Sequence, residues 1–159
     1  MSELTMPETI NPAACNCLAL RQAARHVTQF YDQFLAPTGL RATQYSILAR
    51  LSRHGAMTIN ALAAALVMDR TTLGRNIKPL MRDGLIAVRP GKTDRRSKAL
   101  SLTEAGAARF RAARKGWHEA QAGFETAFGA GRARELRALL GAVATNDLVG
   151  ADSAARDLR

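Results

Sequence analysis

Between Asp69 and Lys98 the chain carries nine basic residues (Arg70, Arg75, Lys78, Arg82, Arg89, Lys92, Arg95, Arg96 and Lys98) against three acids (Asp69, Asp83 and Asp94). Nine positive minus three negative leaves +6 in this stretch, out of a formal net charge of +10 for the whole chain. A charge carried only for solubility would be spread evenly, whereas clustering is the footprint of a polyanionic partner. The interleaved side chains suit such a partner. Arg70 and Arg75 can fork onto guanine, Asn76 can pair with adenine, Thr71 and Thr72 can touch a thymine methyl or a phosphate, and Lys78 can meet a phosphate. A polar face on any surface helix uses the same residue types. The charged segment that follows favours nucleic acid.

That segment is Gly91-Lys92-Thr93-Asp94-Arg95-Arg96. A basic loop of this kind can enter a minor groove, where narrow tracts concentrate negative potential. Asp94 has a physical role there, holding an arginine two residues on in an extended pose through a charge-assisted bond. The plainer reading is an ordinary polar turn.

Cys15 and Cys17 are the only cysteines. With no second pair and no suitably spaced histidine they make no zinc pattern, so no metal and no cofactor is expected. A thiol near a helix N-terminus favours the thiolate, and Arg21 lies one turn beyond Cys17. The plainer alternative is that Cys17 is a small buried hydrophobe. A bridge between the two is disfavoured if both lie on one helix, since positions two apart face different sides. Enzymatic signatures are missing: no glycine-rich phosphate loop, no paired carboxylates in an apolar run, no Ser-His-Asp order, and only His26, His54 and His118 as histidines. The chain therefore reads as a binding protein.

These side chains need elements to hold them. With 47% hydrophobic but only 5% aromatic residues, the core must be Leu, Ala, Val and Ile, which favours helices. Residues 1–10 read as a loose arm. Asn11-Pro12 reads as the cap of a helix running to about Ala36, with Cys17, Leu20, Ala24, Val27, Tyr31 and Phe34 at three- and four-residue steps. Pro37-Thr38-Gly39 stops it. Thr43 can cap a second helix carrying Tyr45, Ile47, Leu48 and Leu51, Thr58 a third, and Asp69 a fourth that Gly84 closes. Leu73, Ile77, Leu80 and Met81 form the docking stripe of that fourth helix, and Pro79 should bend it. Residues 85–90 and 97–102 read as two strands flanking the charged loop. Thr103-Glu104 opens a fifth helix to Phe128, Gly129 and Gly131 break it, and a sixth follows. Its stripe of Leu136, Leu139, Leu140 and Val143 is too large for one small domain to cover, which calls for a homodimer.

The fold class is thus mostly α with a small β-hairpin wing: a winged helix-turn-helix domain over 42–102, N- and C-terminal dimerisation helices over 11–41 and 103–147, and a frayed tail over 148–159. No signal peptide or membrane span is evident. The basic cluster lies on a helix and a hairpin, not on a basic amphipathic helix with exposed bulky apolars, so a cytoplasmic protein without a membrane partner is expected.

Asp94-Arg95-Arg96 followed by Ala99-Leu100-Ser101-Leu102-Thr103-Glu104-Ala105-Gly106 resembles the wing-to-helix signature of the MarR family, and Asp69 to Ile86 resembles its recognition helix and first wing strand. The resemblance spans about residues 12–147. It implies a triangular dimer binding a roughly palindromic double-stranded operator, with Arg96 as the wing-tip arginine and Asp94 its partner. The expected function is a sequence-specific transcriptional regulator, a repressor, released by a small aromatic or phenolic effector or by thiol oxidation; the alternative is a sequence-tolerant winged-helix DNA-architecture protein. Members of the hydroperoxide-sensing branch carry a reactive cysteine that aligns with Cys17 and a bonded tyrosine that aligns with Tyr31, while a second tyrosine of that branch falls here at Ala42. The family's effectors, often aromatic acids, bind between the dimerisation helices and the winged domain. Arg21, His26, Tyr31, Trp117 and His118 are the candidates for such a pocket, and as neighbours on a helix only one of Trp117 and His118 can face inward.

Overall fold

The structure, a computed structural model, describes residues 11–91 and 98–146. The expected arm, the tail beyond 146, and the wing-tip candidates Lys92, Asp94, Arg95 and Arg96 lie outside the described residues.

Local chemistry sets most of the element boundaries. Helix α1 covers Asn16–Leu35 and helix α2 covers Ala42–His54. A two-residue strand β1, Met57–Thr58, leads into α3, Ile59–Ala65, and α4 follows over Arg70–Arg82. Strands β2, Ile86–Pro90, and β3, Lys98–Leu102, precede the long α5, Glu104–Phe128, and α6, Ala130–Thr145. Thr58, Asp69 and Thr103 cap α3, α4 and α5, each side-chain oxygen accepting from the amide three residues on, as expected. Gly39 and Gly84 take left-handed backbone, with φ of 73° and 69°, at the turns they close.

Four local expectations are corrected. Asn11 Oδ1 accepts from the Ala13 amide at 3.0 Å but caps only a 3-10 turn, Pro12–Ala14. The extended backbone of Cys15 ends that turn, and its Sγ, 3.4 Å from the Leu18 amide, caps α1. Cys17 thus sits in the first turn of α1, and Cys15 is not on the helix, so the argument that both thiols share one helix does not hold. Helix α2 is not capped by Thr43: Gln44 Oε1 accepts from the Arg41 amide at 3.0 Å, and Asp32 of α1 accepts from the Ala42 amide at 2.7 Å. Met81 is exposed; the docking stripe of α4 is Leu73, Ile77 and Leu80, and Met81 falls one residue, about 100°, off its edge. Gly131 lies inside α6, so Gly129 alone, at φ 94°, turns the α5–α6 corner.

The sheet order is β1-β3-β2, antiparallel throughout, with Met57 opposite Leu100 and Ile86 opposite Leu102. Leu100 of β3, Leu62 of α3, Leu73 of α4 and Ile47 and Leu48 of α2 meet in one core that Leu35 extends to α1. Helix α5 is the spine that ties this unit to the terminal helices. Gly106 lies against the Leu85 carbonyl and Gly116 against the Phe34 carbonyl, both too close for a Cβ. Arg109 donates to the Thr38 carbonyl at 2.8 Å. Residues 11–26 are exposed around the whole helix circumference, and Leu139, Leu140 and Val143 of α6 are exposed as well. No helix among the described residues is long and apolar enough to cross a membrane.

Candidate nucleic-acid interface and adjoining cavity

Helix α4 is held by one face and presents the other. Leu73, Ile77 and Leu80 are buried at its inner side, while Arg70, Thr71, Arg75 and Lys78 are exposed. No ion pair occupies Arg70, Arg75 or Lys78 among the described residues, so their donors face solvent. The start of the helix is rigidly built. Asp69 Oδ1 accepts from the Thr72 amide at 2.8 Å and Oδ2 from the Thr72 hydroxyl at 2.6 Å. Those bonds hold the Asp69 carboxyl below its ordinary range. Thr72 therefore spends its hydroxyl proton on the cap, and Asn76 Nδ2 donates to the Thr72 carbonyl at 2.9 Å. Of the residues expected to face a ligand here, Arg70, Thr71, Arg75 and Lys78 are unengaged, whereas Thr72 and Asn76 are partly tied into their own helix. Pro79 removes the amide that would have bonded the Arg75 carbonyl, yet the helix continues to Arg82. Arg89 and Lys98, on the described stem of the hairpin, add exposed cations that belong to the basic cluster.

Behind this surface, α1, α2 and α5 enclose an open cavity of about 180 Å³ lined by Val27, Thr28, Tyr31, Leu35, Ala42, Tyr45, Ser46 and Trp117. Trp117 lies nearly parallel to Tyr45, at 13° with centroids 6.1 Å apart. Tyr31 donates to Gln121 Oε1 at 2.7 Å; Gln121 donates to Glu125 at 2.8 Å, and Arg137 of α6 reaches the same Glu125 oxygen at 3.2 Å. Burial raises the pKa of both Tyr31 and Tyr45. A second groove of about 250 Å³ is lined by His26, Val27, Phe30, Phe124, Ala127 and Phe128.

The expected pocket residues are thus divided. Tyr31 and Trp117 share the first cavity, His26 lines the second groove, and Arg21 and His118 line neither. Trp117 is the inward member of its pair, and His118 is exposed. Val27, Thr28, Tyr45 and Ser46 complete the cavity. The only sequence signal for them was their place on the same helical faces as Tyr31 and Ile47.

A crystal structure of the transcriptional regulator MosR from M. tuberculosis in complex with DNA superposes with a TM-score of 0.71 and 40% identity, over 82% of this chain and 96% of that one. The MarR family model matches residues 40–98. The chain belongs to the MarR family of transcriptional regulators. Two curated relatives agree: the organic hydroperoxide resistance transcriptional regulator of Bacillus subtilis, 32% identical over 57% of this chain and 62% of its own length, and the transcriptional activatory protein BadR of Rhodopseudomonas palustris, 37% identical over 55% and 51%. The chain spans about half to three-fifths of the length of these curated relatives.

Within this MarR-family protein, Cys15 and Cys17 are both exposed in the single chain, so Cys17 is not the buried hydrophobe of the plainer sequence reading. Cys17 and Tyr31 are fourteen residues apart on α1, roughly 21 Å by helical rise. They cannot touch within one chain, and the Tyr31 hydroxyl bonds instead to Gln121.

Proposed function

We propose that the protein is a sequence-specific, double-stranded-DNA-binding transcriptional regulator that works as a homodimer in the cytoplasm and represses from a palindromic operator. The observation that carries this reading is the division of α4 into a buried Leu73-Ile77-Leu80 face and an unpaired Arg70-Thr71-Arg75-Lys78 face. That is the arrangement a recognition helix needs to lie in a major groove. Residues 42–102 form the reading unit, with Lys92, Asp94, Arg95 and Arg96 as the wing. Residues 11–41 and 103–147 form the dimerisation region. The exposed apolar residues of α1 and α6 support it, since Leu18, Leu20, Leu139, Leu140 and Val143 have nothing to cover them in one chain.

Two inputs fit the same frame. A small aromatic or phenolic effector would occupy the cavity between α1, α2 and α5 and bias the separation of the two recognition helices. Oxidation of Cys17 would disturb the start of α1 in the dimerisation region, with any approach to Tyr31 made across the dimer.

The test is binding to DNA upstream of the protein's own gene, searched for an inverted repeat, against a random duplex across a salt series. Tight binding to the repeat alone supports the reading. Equal affinity for both duplexes with a steep salt slope would instead identify a sequence-tolerant architectural protein.

A further inference from the structure

We propose that the α1–α2–α5 cavity selects uncharged single-ring phenols and discriminates against aromatic carboxylates. This deepens the effector reading above and rests on it. The size sets one limit, since a cavity of about 150 Å³ already accepts benzene and this one measures about 180 Å³.

Hydrogen-bond direction sets the other. A hydroxyl has one proton. Tyr31 gives its proton to Gln121 Oε1 at 2.7 Å, and Ser46 gives its proton to the Ala42 carbonyl at 3.0 Å. Both oxygens are left at the cavity as acceptors. Thr28, Tyr45 and the Trp117 indole supply donors. A phenolic O–H both donates and accepts, so it matches this mixed lining. A carboxylate has no proton for the two acceptors and loses solvation without gaining a cation, because no residue lining the cavity is charged.

The surrounding charges do not reverse this. The Asp32 carboxylate sits at the cavity wall, bonded to the Ala42 amide at 2.7 Å and 3.7 Å from Arg41. Arg137 near Tyr31 is paired with Glu125. Arg114 acts on Tyr45 only at a distance, and burial outweighs it. The raised pKa of both tyrosines has the same cause: negative oxygen is disfavoured at this wall.

Trp117 is the only tryptophan in the chain and lines the cavity, so its fluorescence reports occupancy directly. The full chain is titrated at pH 7 with phenol, benzoate and toluene. Saturable phenol binding is expected, with benzoate and toluene each weaker by about tenfold or more, the toluene deficit being one hydrogen bond. In Tyr31→Phe and Ser46→Ala the ratio of phenol to toluene affinity should fall. Benzoate binding as tightly as phenol, phenol no better than toluene, or no saturable response to any of the three would overturn the proposal. Operator affinity is measured separately with and without phenol. Selective phenol binding that leaves DNA affinity unchanged supports the selectivity while refuting the effector role.

Discussion

The Cα of Gly106, in the first turn of α5, lies against the Leu85 carbonyl so closely that no Cβ fits between them. This approach sets the sheet against α5. The Leu85 carbonyl accepts from the Thr103 amide at 3.1 Å, and the Thr103 hydroxyl donates to the Gly84 carbonyl at 2.6 Å while accepting from the Gly106 amide at 3.0 Å. The recognition helix, the hairpin stem and the dimerisation spine are pinned together at this point.

Gly106→Ala should therefore destabilise the protein by about 1–3 kcal/mol, because a methyl forced onto backbone has no flexible neighbour to displace. Gly74→Ala is the contrast. Gly74 lies inside α4 with nothing within 4 Å of an added Cβ, so the substitution should stabilise by roughly 0.5–1 kcal/mol. Urea denaturation of both variants checks the pair. Equal effects would contradict the packing described at Gly106.

Asp69 predicts a pH dependence. Its carboxyl is held below the ordinary range by the Thr72 hydroxyl and amide, so the charged form belongs to the folded state. The stabilisation is fully present above the unfolded aspartate pKa and is lost as pH falls through that value toward the depressed one. Asp69→Asn keeps a capping oxygen without the charge. The stability difference between wild type and Asp69→Asn should shrink on acidification through the aspartate range, measured by denaturation at several pH values. A constant difference would contradict the capped carboxylate.

On DNA, Arg75→Ala should cost roughly 1–3 kcal/mol at the operator and relax specificity at one base position. Lys78→Ala should weaken specific and random duplexes alike and lower the salt slope by about 1. Arg96→Ala should weaken operator binding by roughly 1–3 kcal/mol while the dimer stays folded. Fluorescence anisotropy on both duplexes separates these effects; equal losses for Arg75→Ala on the two would argue against base reading by that residue.

The thiols make separable predictions because their positions differ. Cys15→Ser replaces a long sulfur cap with a better one and should leave DNA binding intact. Cys17→Ser should bind DNA and ignore hydroperoxide if Cys17 is the oxidised group. A wild-type protein whose DNA binding is indifferent to hydroperoxide would end the thiol reading.

Features that depend on neighbours in sequence were legible from the residues alone. Thr58, Asp69 and Thr103 cap helices because a short side-chain oxygen reaches an amide three residues on, whatever the surroundings. Leu73, Ile77 and Leu80 mark the buried side of α4 by spacing, and the exposed cations follow by subtraction. Features that depend on distant segments were not legible. Two residues carry no periodicity, so Met57 and Thr58 become a strand only because β3 offers an edge opposite them. Thr43 looked like the natural cap of α2, but Asp32, ten residues earlier on another helix, takes the Ala42 amide. The choice of Trp117 over His118, and the meeting of Tyr31, Tyr45 and Ser46 at one cavity, were made by the way α1, α2 and α5 pack. Hydrogen bonding along a helix is local and written into spacing, whereas a cavity exists only where separate helices fail to fill the space between them.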